Sequence, residues 1–258
     1  MKNVALITGA DGSIGSELCN IHASLGGDLV IVARNSEKLY ALKEKLEKIY
    51  SVSVYVIISD LTLPDATKKV YEEVENNDIE IEYLFNNAGF GALGNYWELK
   101  EEQNIGMIKL NVLALSELIH WFLPGMVKRG SGRILNTSSV ASLVPGPLMS
   151  VYFASKAYVR YLGNALSEEL RGTGVTVTTL LPGPTASDFG SRSGMDKTVL
   201  FKKLAIPSDV ASKAYKAMLK GKLNVIAGIS GLLRFLFLWV PFIPQKLLLR
   251  IVKRLLRV

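Results

Sequence analysis

Tyr152 and Lys156 stand four residues apart in YFASK, a spacing that puts both side chains on one face of a helix. A free tyrosine titrates near pH ~10, too high for a base near neutrality. An ammonium group beside it favours the phenolate and lowers that value. Such a pair can deliver a proton to a carbonyl oxygen or take one from an alcohol. Ser139 lies thirteen residues before Tyr152, in NTSSVAS, at the end of a strand-like run. A hydroxyl there can hold a substrate oxygen, with neighbouring Ser138 as the alternative donor. Asn111, in KLNVLAL, is a polar side chain inside an apolar helical stretch and needs a reason. A Tyr–Lys pair alone also fits an ordinary helix surface, so the context decides.

That context begins with LITGADGSIGSEL. An apolar run ends at Thr8, and Gly9, Asp11, Gly12, Ser13, Ile14 and Gly15 lead into a helix. A strand, a glycine turn and a helix make a phosphate cradle, because backbone N–H groups approach the anion and the helix N-terminus favours its charge. In LVIVARNSEKL, Arg34 follows Ala33 where an acid would bond the ribose 2′-hydroxyl of NAD. A planar, permanently charged guanidinium suits a 2′-phosphate, which favours NADP(H). NAD(H) stays open, since the Asp11 carboxylate near the same ribose would repel a phosphate. In SDLT, Asp60 is placed to meet the adenine edge and Leu61 to pack near the ring, while a loop aspartate capping the next helix is the plain reading. In LFNNAGFG, Asn86 and Asn87 can bond backbone groups of neighbouring strand ends, and Ala88 and Gly89 remove bulk where a cofactor would pass. No metal site is expected.

The positioning elements are legible as alternating segments. Strand candidates are Val4–Ile7, Leu29–Ala33, Val52–Ile58, Glu82–Phe85, Arg133–Thr137, Val175–Leu181 and Asn224–Ile226. Helices are expected to start near Ser13, Ser36, Pro64, Glu101, Ser155 and Ser208. The strands carry little polar alternation, as parallel strands covered on both faces do. Alternating βαβ units of this length predict an α/β fold: a doubly wound parallel sheet in three layers, a Rossmann fold, in a single domain.

At 258 residues the chain is long enough for one large domain with a real core. The single cysteine, Cys19, allows no intrachain disulfide and suits a reducing, cytoplasmic setting. The first apolar run is too short for a signal peptide. The net charge of +7 is uneven. No acidic residue follows Asp209, and Arg234, Lys246, Arg250, Lys253, Arg254 and Arg257 carry nearly all of the excess. A basic tail of this kind points to membrane or protein contact. Nucleic acid is not expected, because the stripe lacks interleaved aromatic residues for base stacking.

TG-x-x-x-x-x-G, NNAG, Asn111, Ser139, Tyr-x-x-x-Lys and the PGP beginning at Pro182 fall in the order and spacing of a classical short-chain dehydrogenase/reductase. The chain resembles that family from about Lys2 to Gly228, and NNAGFG and the tail look most like its bacterial reductases. The resemblance implies a cofactor-binding and catalytic domain over 1–228 and leaves 229–258 as an amphipathic helical tail. It implies an NAD(P)-dependent oxidoreductase acting on C=O or CH–OH groups, with Asn111, Ser139, Tyr152 and Lys156 as its catalytic residues. Tyr152 would be the proton donor or acceptor, and Ser139 would orient the carbonyl. Lys156 would bind the nicotinamide ribose and depress the tyrosine pKa, and Asn111 would hold a water linked to the lysine. Pro182, Gly183 and Thr185 match positions lining the nicotinamide, and Ser187 stands where the family often has Thr. The turn departs from the family's TG-x-x-x-G-x-G: Ser13 occupies the middle glycine position and Gly12 comes one place early, a spacing found in the extended branch. NNAG favours the classical branch. Either Gly12 takes over the close approach, or the backbone and hydroxyl of Ser13 reach the pyrophosphate. The alternative function is a nucleotide-sensing or membrane-tethered binding protein with this fold and little turnover.

The family's mobile substrate lid is expected between Ser187 and Pro207, with Gly190 and Gly194 fitting mobility. Leu143, Val144, Leu148 and Met149 are expected to form an apolar wall, suited to a hydrophobic ketone, aldehyde or acyl compound. The apolar segments Met107–Met126 and Tyr158–Leu170 are expected to pair across a two-fold axis in a homodimer or homotetramer. In the tail, Arg234, Pro241 and Pro244 interrupt the apolar run short of a span of roughly 20 residues, so no transmembrane helix is expected there. After Pro244 a basic stripe lies opposite Leu248, Ile251, Val252 and Leu255, a face expected to pack on protein. Lying on a membrane, at the inner face of a cytoplasmic one, is the other use of such a helix.

Overall fold

The structure is a computed structural model that describes residues 1–257. β1 (Val4–Thr8) and β2 (Leu29–Ala33) are buried along their whole length, which is why neither shows polar alternation. With β3 (Val54–Ile58), β4 (Ile81–Asn86), β5 (Gly132–Thr137), β6 (Val175–Pro182) and β7 (Asn224–Ala227) they form one sheet in the order β3-β2-β1-β4-β5-β6-β7. Every neighbouring pair is parallel, so each connection must cross over a face of the sheet.

Helices cover both faces. On one side lie α1 (Ser13–Ser24), α2 (Ser36–Tyr50) and α8 (Pro207–Leu219), where Leu18, Leu39 and Met218 share a core with Ala5, Ile7 and Ile31. On the other lie α3 (Ala66–Asn76), α4 (Glu101–Ile108), α5 (Leu115–Arg129) and α6 (Ser150–Glu169), where Val70, Leu118 and Val159 share a core with Leu6, Leu84 and Ile134. Burying one such aliphatic side chain contributes roughly 1.5–3 kcal/mol, so the expected three-layer Rossmann architecture rests on these two layers of apolar contact. The helical run Glu101–Arg129 is long and apolar enough to cross a membrane by composition, but Leu118, Ile119 and Phe122 are buried in the second core.

Three boundaries differ from the sequence reading by two residues or more, each for a local reason. β3 begins at Val54, because Ser51 closes α2 in the left-handed region (φ 54°) and the Ser53 N–H donates to the Asp28 carboxylate at 2.8 Å. α3 begins at Ala66, because Asp65 sits at φ 57° outside the helical region. α6 begins at Ser150 and not near Ser155, so Tyr152 lies in its first turn.

Beyond β6 come α7 (Phe189–Ser193) and two single 3₁₀ turns; beyond β7 come α9 (Gly231–Trp239) and α10 (Gln245–Leu256). Pro241 and Pro244 turn the chain between the last two, and α10 folds back on the body. Its Leu248, Val252 and Leu256 join a third core with Met149, Phe153 and Met195. The packed face is therefore one residue round from the expected one. Ile251 and Leu255 stay partly exposed and line the cleft at the strand ends.

Candidate active site

The strand order reverses between β1 and β4, and in open α/β sheets ligands bind in the crevice outside the carboxyl ends of the strands at that point. One cavity of about 1600 Å³ fills this crevice and continues to the tail. A pocket for one small molecule takes ~300–1,000 Å³, so there is room for a dinucleotide together with a substrate.

At the nucleotide end the glycine turn is built around Gly9 and Gly15. Gly9 has φ 63°, and its N–H donates to the Val32 carbonyl at 2.8 Å. A Cβ on Gly15 would run into the Gly9 carbonyl, so the helix can approach the strand only without a side chain there. Gly12 caps α1 at φ −88°, and Ser13 is the first residue of that helix. Neither position needs the left-handed region, so Ser13 imposes no backbone strain on the turn. Asp11, Gly12, Ser13 and Ile14 all line the cavity.

Thr8 and Asn87 tie the strand ends together. The Thr8 hydroxyl accepts from the N–H groups of Asn87 and Ala88, each at 3.0 Å. The Asn87 amide donates to the Thr8 and Gly9 carbonyls at 3.1 and 3.3 Å. Asn87 thus bonds backbone as expected. Asn86 does not: its amide donates to the Asn136 side chain on the next strand at 2.9 Å, because β4 and β5 set the two asparagines side by side.

Arg34 lies at the end of β2, 68% exposed, and its guanidinium is 3.6 Å from the Asp60 carboxylate. Asp60 also accepts from the Thr62 N–H and hydroxyl at 3.0 and 2.7 Å. Burial pushes the Asp60 carboxyl up, but the Thr62 bonds and Arg34 outweigh it and hold it below the usual range. Leu61 is buried and reaches the same cavity. Lys38, which the sequence reading missed, lines this end too and pairs with Asp188 across the cleft at 3.5 Å. Its signal was its place in the first turn of α2, four residues after Arg34. The backbone N–H groups at the start of α1, the two cations and the glycine-lined passage form a donor set that fits a dinucleotide phosphate chain.

At the other end, Asn111, Ser139, Tyr152 and Lys156 converge. Asn111 sits in a π-helical turn, Lys109–Ala114, between α4 and α5; such turns widen a helix locally. Its side chain accepts from the Phe90 N–H (3.1 Å) and donates to the Phe90 carbonyl (2.9 Å) and the Ser155 hydroxyl (3.0 Å). This is the reason for a buried amide in an apolar helix. The Lys156 ammonium donates to the Thr137 carbonyl at 2.9 Å. A Cβ on Gly89 would lie 3.0 Å from both the Asn111 Oδ1 and the Lys156 Nζ, so Gly89 leaves room for both side chains. Ser138, the alternative hydroxyl, also lines the cavity, but its hydroxyl donates to the Lys156 carbonyl at 2.6 Å. Ser139 faces the cavity and accepts from the Ala141 N–H at 3.1 Å.

The electrostatics of the pair differ from expectation. Burial pushes the Tyr152 phenol up to about 12, with Ser139 pulling partly back. Burial also pushes Lys156 down to about 8. The ammonium is 5.9 Å from the tyrosine ring centroid. In this dry wall, loss of water acts on each group more strongly than the two act on each other.

Pro182, Gly183 and Thr185 line the cavity beside these residues. Ser187 donates to the Thr185 carbonyl at 3.1 Å. Val144 and Met149 form the predicted wall, whereas Leu143 and Leu148 do not reach the cavity. Leu148 turns away at φ 72° and packs in the third core. Gly190 stands within the segment expected to form the lid. It is buried where a Cβ would come within 2.9 Å of the Phe201 ring, so its role is close packing. Phe189 and Phe201 roof the site, and neither was singled out from sequence.

A profile of the family described as short chain dehydrogenase matches residues 3–197. Hydroxysteroid dehydrogenase-like protein 1 of Gallus gallus is 32% identical over 182 residues, covering 69% of this chain and 54% of that protein. The very-long-chain 3-oxoacyl-CoA reductase of Rattus norvegicus is 32% identical over 184 residues, covering 69% of this chain and 58% of that protein. The matches thus span little more than half the length of these relatives. Among solved structures, a short-chain dehydrogenase from Sphingobium yanoikuyae in complex with NADPH superimposes with a TM-score of 0.84 at 32% identity, covering 95% of this chain and 94% of that one. The share left uncovered is shorter than the tail, so the likeness reaches past the limit drawn at Gly228. With the reversed strand order, the glycine turn and the Ser–Tyr–Lys wall in place, these matches agree on one assignment: the chain belongs to the short-chain dehydrogenase family.

Proposed function

We propose that this chain is an NADP(H)-dependent oxidoreductase that reduces the carbonyl of a hydrophobic small molecule or oxidises the corresponding alcohol. The observation that carries this reading is the convergence of Ser139, Tyr152 and Lys156 on one wall of a cavity whose other end is a phosphate cradle, with Asn111 buried behind that wall. The bound dinucleotide would supply the hydride. Tyr152 gives its proton to the carbonyl oxygen, or takes one from the alcohol, and Ser139 holds that oxygen by a hydrogen bond. Lys156 holds the nicotinamide ribose and lends positive charge beside the phenol. Asn111 braces the Phe90 backbone and Ser155, whose hydroxyl donates to the Tyr152 carbonyl at 2.7 Å, so the amide also steadies the first turn of α6. Gly9, Gly12, Ser13 and Gly15 hold the pyrophosphate, and Arg34 with Lys38 favours a 2′-phosphate. Val144, Met149, Phe189 and Phe201 make the substrate end apolar.

The chain works as a homodimer or homotetramer in this reading, because Ile105, Ile108 and Leu113 on α4–α5 and Tyr158 and Tyr161 on α6 stay exposed. Its lone buried cysteine fits a reducing, cytoplasmic setting. The decisive experiment follows NADPH oxidation across a panel of ketones, aldehydes and acyl compounds. Tyr152→Phe should abolish turnover while leaving fold and NADPH affinity intact, and Lys156→Ala should damage both turnover and affinity. Near-parental rates in Tyr152→Phe would move the proton donor elsewhere. A parent that binds NADPH yet turns over nothing on the panel would favour a binding protein.

A further inference from the structure

α9 and α10, with the proline turn between them, form a collar around part of the cavity, and its outer side differs from the rest of the surface. α9 buries no side chain. Leu232, Phe235, Leu236 and Trp239 share one face at helical spacing, and Phe242, 77% exposed, extends it. On α10, Leu247, Ile251 and Leu255 recur at every fourth residue and stay partly exposed beside Arg250 and Arg254. Among the described residues, none of Lys246, Arg250, Lys253, Arg254 and Arg257 pairs with a carboxylate. Four residues of this same exposed face, Leu236, Trp239, Ile251 and Leu255, also line the cavity, so the face reaches its mouth. One element therefore carries a bare apolar face, an unneutralised positive charge and a wall of the substrate site.

We propose that this collar docks on an anionic phospholipid bilayer and that the cavity draws its substrate from the lipid, as a carbonyl or alcohol on a membrane-dissolved apolar chain. Charge complementarity selects this occupant. A second copy seated two-fold on the same face would set like cations against each other, whereas anionic headgroups neutralise them. Trp239 and the leucine and phenylalanine side chains suit the boundary between headgroups and acyl chains. A substrate held there reaches the cavity past Ile251 and Leu255 without crossing water. The docking stands on the tail alone; only the substrate class rests on the oxidoreductase reading.

The test floats the full chain with phosphatidylcholine vesicles and with vesicles containing phosphatidylglycerol, at low and high salt. Binding is expected to the anionic vesicles, released by salt, and weakened about fivefold per cation removed. Reversing charge in the Lys253→Glu/Arg254→Glu variant should weaken it by at least tenfold, and Phe235→Ser/Phe242→Ser should also release the protein. Neither pair faces the cavity. Absence of binding to anionic vesicles at low salt, or unchanged binding by the charge-reversed variant, would overturn the proposal. So would a dimer in sedimentation that Phe235→Ser/Phe242→Ser dissociates, since the face would then belong to a second copy. On a long-chain ketone carried in anionic vesicles, Lys253→Glu/Arg254→Glu should lose several-fold in rate and keep its rate on a short water-soluble ketone. Equal rates on the vesicle-borne ketone would refute delivery from lipid. Vesicle binding without turnover of any carbonyl would refute the oxidoreductase reading and leave docking supported.

Discussion

The ring of Phe189 lies against the ring of Tyr152, with centroids 5.4 Å apart and planes inclined at 46°. Phe189 opens α7, and Phe201 stacks behind it at 6.4 Å and 21°. Phe189 thus touches the proposed proton donor directly. An aromatic pair of this kind contributes ~0.5–1.5 kcal/mol beyond burial, so Phe189→Ala should raise KM for an apolar ketone about tenfold, with a smaller change in kcat. Steady-state NADPH oxidation checks this, and an unchanged KM would remove Phe189 from the substrate wall.

The glycine turn makes a contrast. Ser13 has an ordinary helical backbone, so Ser13→Gly, which restores the family's glycine, should change NADPH affinity by less than about threefold. Gly15→Ala forces a methyl into the Gly9 carbonyl and should weaken binding by roughly 100-fold or more, since backbone on both sides must shift. Fluorescence titration measures both, with circular dichroism to show that each variant folds. A large gain in Ser13→Gly would mean that the serine impairs the cradle.

Lys156 predicts a gain in stability from loss of function. Its folded pKa is about 8 against 10.5 for the free group. Between those values the unfolded chain holds a proton that the folded chain has released, so the stability of the nucleotide-free protein rises with pH across that window. Below pH 8 the burden of burying the charge is fully present. At ~1.36 kcal/mol per unit, Lys156→Met should stabilise the protein at pH 7 by about 1–3 kcal/mol while abolishing turnover. Thermal melts at pH 7 and pH 10 should show the gap narrowing at the higher pH. A lower melting temperature for the variant at pH 7 would contradict the assigned burial.

Arg34 predicts cofactor preference. The parent should bind NADPH more tightly than NADH, and Arg34→Ala should remove most of the difference. Lys38→Ala should remove a smaller part, because the lysine is shared with Asp188. Equal affinities in the parent would put Asp11 in control of the adenosine end.

Residue order alone determined the class of fold and named the residues proposed for the site. Runs without polar alternation mean strands buried on both faces, and the glycine turn after the first of them means a phosphate cradle; both are local consequences of side-chain size and backbone freedom. The four-residue spacing of Tyr152 and Lys156 likewise fixes one helix face wherever that helix goes. Only the tertiary structure decided how far burial would shift Tyr152 and Lys156, because desolvation depends on every element packed around them. It decided that the Ser138 hydroxyl is engaged by the Lys156 carbonyl while Ser139 sits beside Tyr152, since only the packing of α6 against the strand end says which of two adjacent hydroxyls meets its backbone. It also decided that Asn111 braces Phe90, that Lys38 meets Asp188, and that α10 turns Leu256 inward and leaves Ile251 and Leu255 at the cleft. Those contacts join segments far apart in the chain, and a helical period gives the face of a helix without giving what lies against it.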